Sequence, residues 1–501
     1  MPEKSIIIIG AGIAGLAAGC YARMNGYRVK IFEMHDLPGG LCTAWERRGY
    51  VFDGCIHYLF GSGEGQPFHE MWMELGAAQN RPMIHHDEYQ RITDGKDTLT
   101  VHADPELLQR HMLDLSPDDA SLIRSFCDGI RQFTRFDMSA MYRKPRAIMR
   151  LLDYRDLGVA MMPYLGAVMK WATLSAGGFA KRFKNPFLRK AVPQIFSWDE
   201  APVMMGMSLL AYMHTRNAGF PAGGSLEFAR AIEKRFIDLG GEIFYKSQVE
   251  KILVVNDRAV GVRLYNDEVH HADYVISACD GRATIFDMLG GAYADRRIRR
   301  MYDGHMPTHS MMQISLGVKR DLSVEPHWVT HLLGEPVLVA GEPRHEIGVK
   351  HYCFDKSLAP AGKSVIEVIV RSDYSYWQRI YGRRLYDTEQ TQVSGIIVDH
   401  LEHWYPGIKK DIEFVDEATP LSYERYTGNW LGSTCGWLMT KETMPMLIKG
   451  VPKTLPRLGN FFMAGQWVEP GGSLPLAAAS GKSAVQLICH QDGKRFVVSA
   501  G

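Results

Sequence analysis

The feature that most constrains this chain is a glycine-rich turn between a hydrophobic run and an alanine-rich one, within residues 5–33. Ser5 to Ile9 is β-branched and uncharged, the pattern of a parallel strand buried on both faces. Gly10-Ala11-Gly12-Ile13-Ala14-Gly15 follows at once and leads into Leu16 to Asn25, whose small residues suit a helix lying close against a sheet. Gly26 stops that helix, Tyr27 to Phe32 reads as a second strand, and Glu33 stands at its carboxyl end. Gly10 makes a turn that a Cβ would obstruct, Gly12 lets the backbone approach a pyrophosphate, and Gly15 lets helix and strand pack closely. The helix amino terminus at Ile13 and Ala14 offers unpaired N–H groups and a partial positive charge to phosphates. Glu33, 18 residues beyond Gly15, falls where a carboxylate accepts hydrogen bonds from ribose hydroxyls and disfavours a 2′-phosphate. A strand-helix turn without ligand is the plainer alternative, but strand, turn, helix, strand and acid all stand in register here. The fingerprint implies a dinucleotide and does not choose between FAD and NAD.

At 501 residues the chain is long for one core, so two interleaved domains are expected. A net charge of +1 gives no long-range field, which argues against a nucleic-acid partner held by its phosphates. The eight cysteines are scattered, with no CxxC and no cysteine–histidine cluster at zinc spacing, so no metal site is expected. Free thiols in a chain this long suit a reducing compartment, and the expected location is the cytoplasm, with contact at the inner face of a membrane as an added possibility. Glycines interrupt Ile6 to Gly19 where a signal-peptide core would want leucine. No run reaches the length of a membrane-spanning helix; Leu157 to Met169 comes nearest and is broken by Pro163.

After Glu33 come Gly39-Gly40, Thr43, Arg47, Gly49-Tyr50, Phe52-Asp53 and His57. This stretch resembles the glycine-doublet (GG-doublet) extension of the flavoprotein group that contains amine oxidases and phytoene desaturases. The resemblance implies FAD, with Gly39, Gly40 and Leu41 against its diphosphate and the segment ending in His57 running toward the flavin ring. A basic residue often follows the glycine pair in that group; here Leu41 does, and Arg47 or Arg48 would take over its charge. Further matches are Pro221-Ala222-Gly223-Gly224 ahead of a helix from Ser225 to about Leu239, a strand at Glu242 to Tyr245, and the segment Val249 to Leu264. In the group the Val249 region covers the adenine half, although a strand pairing without cofactor contact would look the same. Ala272 to Ala278 reads as a buried strand with Ala278 at its tip, where ligands gather in open α/β sheets.

Asp355 to Lys363 and Thr419 to Thr427, ahead of Gly432 and Gly436-Trp437, favour phytoene desaturases and carotenoid isomerases over monoamine oxidases. At the far end Asn460 to Trp467 is a strand and turn, followed by Glu469-Pro470-Gly471-Gly472-Ser473-Leu474-Pro475 and a small-residue helix from Leu476 to Cys489. The resemblance implies that Gly465, Gln466 and Leu474 meet the cofactor and that this helix points its amino terminus at the flavin pyrimidine. His57, Trp467 and Glu469 are the catalytic candidates near the ring, each against a packing role; Arg425 and Tyr426 are further candidates.

The fold class that follows is α/β: a Rossmann-like FAD-binding domain of the GG-doublet flavoprotein group from residues 1–75, 215–300 and 440–501, interleaved with an α+β substrate domain from 76–214 and 301–439. Residues 76–215 read as a helical insertion, rich in methionine, aromatics and basic residues, of which 138–214 could associate with a membrane. Met204, Met205, Met207, Leu209, Leu210 and Met213 suit a long flexible apolar ligand, or simply a core. Met312 to Leu316 and Ser364 to Arg371 alternate as strands of a second sheet. The expected function is FAD-dependent redox chemistry at a carbon–carbon bond, desaturation or saturation, of a long hydrophobic polyene, isoprenoid or lipid. Two alternatives stand beside it: FAD-dependent double-bond isomerisation without net redox, and a non-enzymatic prenyl-lipid carrier. With one dinucleotide fingerprint the electron partner stays open.

Overall fold

The computed structural model describes residues 3–196, 198–444, 446 and 450–498. Ser5–Ile9, with no charge and every residue from Ile6 onward buried, is the centre of a five-stranded parallel sheet. Across that sheet run Glu242–Phe244, Arg28–Phe32, Ser5–Ile9, Tyr274–Ser277 and Phe461–Met463. Strands from the two ends of the chain and its middle therefore share one sheet. The first helix, Ile13–Met24, buries almost its whole length because it lies between the sheet and the last helix, Leu474–Gln491. Their approach depends on Gly481, where a Cβ would stand 2.3 Å from the Ala14 carbonyl oxygen. Helix Gly224–Asp238 packs beside the first helix and sets its Phe236 against Gly19. A three-stranded antiparallel sheet, Val249–Val255, Arg258–Leu264 and Val269–His271, covers the other face.

The second large sheet has seven strands, in the order Ile412–Ala418, Met311–Val318, Ser364–Arg371, Glu342–His351, Trp328–Val339, Glu88–Thr93 and Thr98–His102. Met311–Val318 and Ser364–Arg371, both largely buried on each face, pair antiparallel next to the edge strand Ile412–Ala418. Helix Tyr386–Trp404 covers one side through Val393, Ile397 and Leu401.

The stretch 76–215 differs from the helical reading at its start. Residues 88–102 form a hairpin on the edge of the seven-stranded sheet, joined in parallel to Trp328–Val339. Helix begins only at Pro105, capped by the Asp104 side chain. From there to His214 the chain is helical, with a core of its own built on Phe126, Phe133, Phe179 and Met207. It leaves and re-enters the nucleotide-side fold through short strands that pair with one another: Leu59–Phe60 and Met83–Ile84 flank Ala218–Pro221. No helix among the described residues is long and apolar enough to cross a membrane.

Candidate active site

Two cavities meet inside the molecule. The first is a cleft of about 1330 Å³ running along the carboxyl ends of the parallel strands, the place where open α/β sheets bind ligands. Gly10, Gly12, Ile13 and Ala14 form its floor. Gly10 adopts φ +98°, and the turn it makes is so tight that a Cβ on Gly15 would come within 2.0 Å of the Gly10 carbonyl oxygen. Gly15 accordingly does not line the cleft; it holds helix and strand together. At Gly12 the situation is reversed, since a Cβ there would meet nothing nearer than the Gly39 carbonyl at 3.8 Å and would point into open space. Gly12 begins the first helix with no side-chain cap and no acid in the first turn, so its leading N–H groups and dipole are left for an anion. The glycine pair is tied to this turn, with Gly39 N–H donating to the Ala11 carbonyl at 2.9 Å.

Glu33 is buried at the end of its strand and lines the cleft. Its carboxylate accepts from the Ala11 N–H at 2.6 Å and from the His35 N–H at 2.9 Å. Burial raises its pKa, and these two N–H donors pull it back toward the charged form. The cleft continues past Val249 and Ala278 to Gly465, Gln466 and Leu474, and helix Leu474–Gln491 also starts there without a side-chain cap. Leu41 and Arg47 line it as well, Arg47 lying 3.3 Å from Asp416.

The second cavity, a chamber of about 950 Å³, is walled by Tyr58, Phe60, Met138, Met141, Met161 and Leu165 among others. Of the methionine stripe on helix Val203–His214, Met204 and Met205 line this chamber, while Met207 and Met213 are buried in the helical core. Leu41, Gly54, Cys55, Thr434, Gly472, Ser473 and Leu474 border both cavities, so the cleft opens into the chamber along that strip.

The three catalytic candidates divide between these spaces. Trp467, 2% exposed, borders the cleft and is wedged among Tyr302, Trp430 and Trp437. Its Nε1 lies 3.4 Å from the Asn429 side-chain oxygen. His57 and Glu469 line the chamber instead. Burial and the nearby Lys350 hold the His57 imidazole well below its ordinary pKa, hence neutral at pH 7. Glu469 is paired with Lys453. The structure therefore does not gather the three on one surface. Arg425 and Tyr426 border the cleft, with Tyr426 half exposed.

Sequence reasoning passed over two groups. Asp280, at the tip of the Tyr274–Ser277 strand, borders the cleft and accepts the Trp430 N–H at 2.9 Å; burial raises its pKa to about 6. Its place just beyond Ala278 was the available signal. Lys350, which lines the chamber, belongs to no motif and gave none.

Residues 8–75 match the NAD(P)-binding Rossmann-like domain family. Carrot (Daucus carota) prolycopene isomerase is 24% identical, over 96% of this chain and 79% of that protein. The 4,4'-diaponeurosporene oxygenase of Staphylococcus aureus is 22% identical over 98% of this chain and 99% of its own length. Among solved structures, an oxidoreductase from Methanosarcina mazei superposes with a TM-score of 0.58 at 18% identity, covering 96% of this chain and all of that one. Putrescine oxidase superposes with a TM-score of 0.61 at 12% identity, covering 97% and 99%. FAD fits the donor set: an uncapped helix start beside an open glycine, a buried carboxylate at the second strand's end, and a second uncapped helix start at the far end of the cleft. The chain is thus similar along nearly its whole length to a carotenoid isomerase and a carotenoid oxygenase, and it carries a Rossmann-like nucleotide domain suited to FAD.

Proposed function

We propose that this chain desaturates or saturates a carbon–carbon bond of a long polyene or isoprenoid, using FAD held along the first cleft and substrate held in the chamber. The observation that carries the reading is the strip from Gly54 to Leu474 where the two cavities meet, which would bring a substrate chain against the reacting edge of the cofactor. Bound there, a flavin supplies hydride transfer by itself. The protein's own contribution is then binding, orientation and exclusion of water. Gly10, Gly12, Ile13 and Ala14 would hold the diphosphate with Gly39, Gly40 and Leu41; Glu33 would take the ribose; Val249 and Ala278 would flank the adenosine half. Gly465, Gln466 and Leu474 would hold the ring end, where the dipole of the last helix favours negative charge on the ring. Trp467 would fix the ring from one side, and the neutral His57 would face the substrate.

The relatives' names favour a carotenoid as the substrate class, and the match to prolycopene isomerase specifically favours a second reading, double-bond isomerisation without net redox. Anaerobic incubation of the FAD-loaded protein with a polyene extract separates them. Bleaching of the flavin with a product two hydrogens lighter supports desaturation; reoxidation of the reduced protein with a product two hydrogens heavier supports saturation. Unchanged mass with altered geometry supports isomerisation, and no change in any polyene defeats both.

The substrate's source is read as a membrane surface. Helices Leu151–Met161 and Leu165–Ala172 and the turn between them expose Leu151, Leu152, Val159, Met162 and Met169, with Leu151 at 85%. Arg146, Arg150, Arg155 and Lys170 stand among them, a composition suited to an anionic interface. The inner side of the same segment, Met161, Leu165 and Val168, lines the chamber.

A further inference from the structure

One stretch of the chamber wall is polar. Strand pairing sets Trp328 opposite Lys350 and Lys350 opposite Glu367, side by side across three strands. The Lys350 Nζ lies 4.2 Å from the Trp328 ring centre and 3.9 Å from Glu367 Oε1, beyond hydrogen-bond reach. The His57 ring stands 6.1 Å from the Trp328 ring, centre to centre. At Gly348 the missing side chain matters, because a Cβ there would come within 3.2 Å of Trp328 Nε1; its absence leaves room beside the indole N–H. Trp328, Lys350, His57 and Gly348 all line the chamber.

Among the described residues, Lys350 Nζ, Trp328 Nε1 and His57 Nδ1 have no hydrogen-bond partner, although Lys350 is only 8% exposed. An indole N–H can only donate, and a lysine nitrogen presents N–H in either protonation state. Glu367 stands at ion-pair distance but does not take a hydrogen bond from the lysine; its oxygens accept from Gln313 Nε2 at 2.9 Å and from Tyr352 Oη at 3.4 Å. Buried donors without acceptors are costly and correspondingly rare. A pure hydrocarbon in the chamber would leave all three unmatched, whereas a ligand oxygen would accept from Lys350 and Trp328, and from His57 in the tautomer that carries its proton on Nδ1.

We propose that Lys350, Trp328 and His57 form the recognition site for an oxygen acceptor, a carbonyl or carboxylate carried by the polyene or isoprenoid, so that the chamber selects oxygenated chains over hydrocarbons. The inference rests on the reading of the chamber as the substrate site and narrows the substrate class within it. Sites built to hydrogen-bond a substrate group discriminate strongly against analogues that lack it.

The test is equilibrium binding to the FAD-loaded full chain, read from the ligand's own absorbance shift. The probes are an apo-carotenoic acid, a methyl ketone and a hydrocarbon of matched chain length. The acid and ketone should bind roughly ten- to a hundredfold more tightly than the hydrocarbon. Trp328→Phe keeps the ring and removes the N–H; Lys350→Met keeps the length and removes the amine. Each should lower the oxygenated-to-hydrocarbon affinity ratio at least about threefold while hydrocarbon binding holds or improves. A loss of packing alone would weaken all probes together and leave the ratio unmoved, which overturns the proposal. Hydrocarbon binding as tight as acid binding also overturns it and leaves the chamber standing as a substrate site. Failure of every probe to bind overturns both.

Discussion

The cleft and the chamber are built in opposite ways. The cleft is made largely of backbone: Gly10, Gly12, Gly39 and Gly40 offer shape and N–H groups, and its buried acids Glu33 and Asp280 are each held by two main-chain donors. The chamber is made of side chains, from Tyr58 and Phe60 to Met204 and Trp328, drawn from many separate stretches of sequence. A backbone site tolerates little change in residue size but is indifferent to side-chain chemistry elsewhere. A side-chain site can be retuned residue by residue. The first therefore suits an invariant cofactor and the second a substrate that differs among relatives.

The largest expected effect falls on the backbone side. Gly12→Asp meets no steric obstacle nearer than the 3.8 Å contact with the Gly39 carbonyl, so the fold should survive, yet a carboxylate would occupy the anion position. FAD affinity should fall by about a hundredfold or more, read as loss of flavin absorbance in a protein with nearly unchanged thermal unfolding. An FAD-replete Gly12→Asp protein would break the comparison.

On the chamber side the expected effect is on membrane partition. Replacing exposed Leu151, Leu152 and Met169 together by serine removes apolar area that packs on nothing. Binding to anionic vesicles should drop by at least about tenfold, with stability changed by less than about 1 kcal/mol and flavin content unchanged. Vesicle binding that survives the triple substitution removes this segment as the contact surface.

The buried lysine gives the chamber a pH dependence at higher pH than that of Asp280 in the cleft. Burial lowers the Lys350 pKa from 10.5 to about 7, so the unfolded chain holds that proton more tightly between those values. Stability from this group is complete above pH 10.5 and is lost as pH falls to about 7. Glu367, raised to about 7 from 4.5, works in its own lower window and loses its contribution as pH rises through it. Lys350→Met should therefore be more stable than the parent near pH 7, by on the order of a kcal/mol or more, with the gap closing as pH rises toward 10. A gap that is constant with pH would mean that Lys350 is not desolvated.

The smallest effect belongs to Arg47. Its ion pair with Asp416 is 3.3 Å long and its side chain is 47% exposed, so Arg47→Ala should cost less than about 0.5 kcal/mol in urea unfolding. A large loss of FAD from this variant would sharpen the comparison by adding a side-chain anchor to the backbone cleft.

The same contrast explains what could be read in advance. The nucleotide side was legible because its signal is contiguous: an uncharged strand, three glycines, a small-residue helix and Glu33 all fall within 33 residues. The Asn460 to Cys489 segment was legible for the same reason, although its helix starts two residues earlier, at Leu474. The hairpin at 88–102 was missed because Glu88-Tyr-Gln-Arg-Ile-Thr alternates with polar and charged side chains; its place on the sheet comes from pairing with a strand more than 200 residues away. The Lys350 cluster was invisible because residues 57, 328 and 350 meet only through strand register and the fold of the turn at Gly54. The methionine stripe carried half its meaning, since helical spacing says which residues share a face but not which turn of that face opens on a cavity.

The close packing of Gly481 on Ala14 has a consequence for the timing of synthesis. The first helix, Ile13–Met24, leaves the ribosome long before the helix that buries it, Leu474–Gln491, and before the strand that completes its sheet, Phe461–Met463. Until residue 491 has emerged, the apolar faces of Ile13–Met24 and Tyr274–Ser277 are without their final cover. The glycine turn at residue 10 is thus made long before it becomes a finished binding site, and flavin loading is expected to wait for the last helix instead of accompanying synthesis of the first.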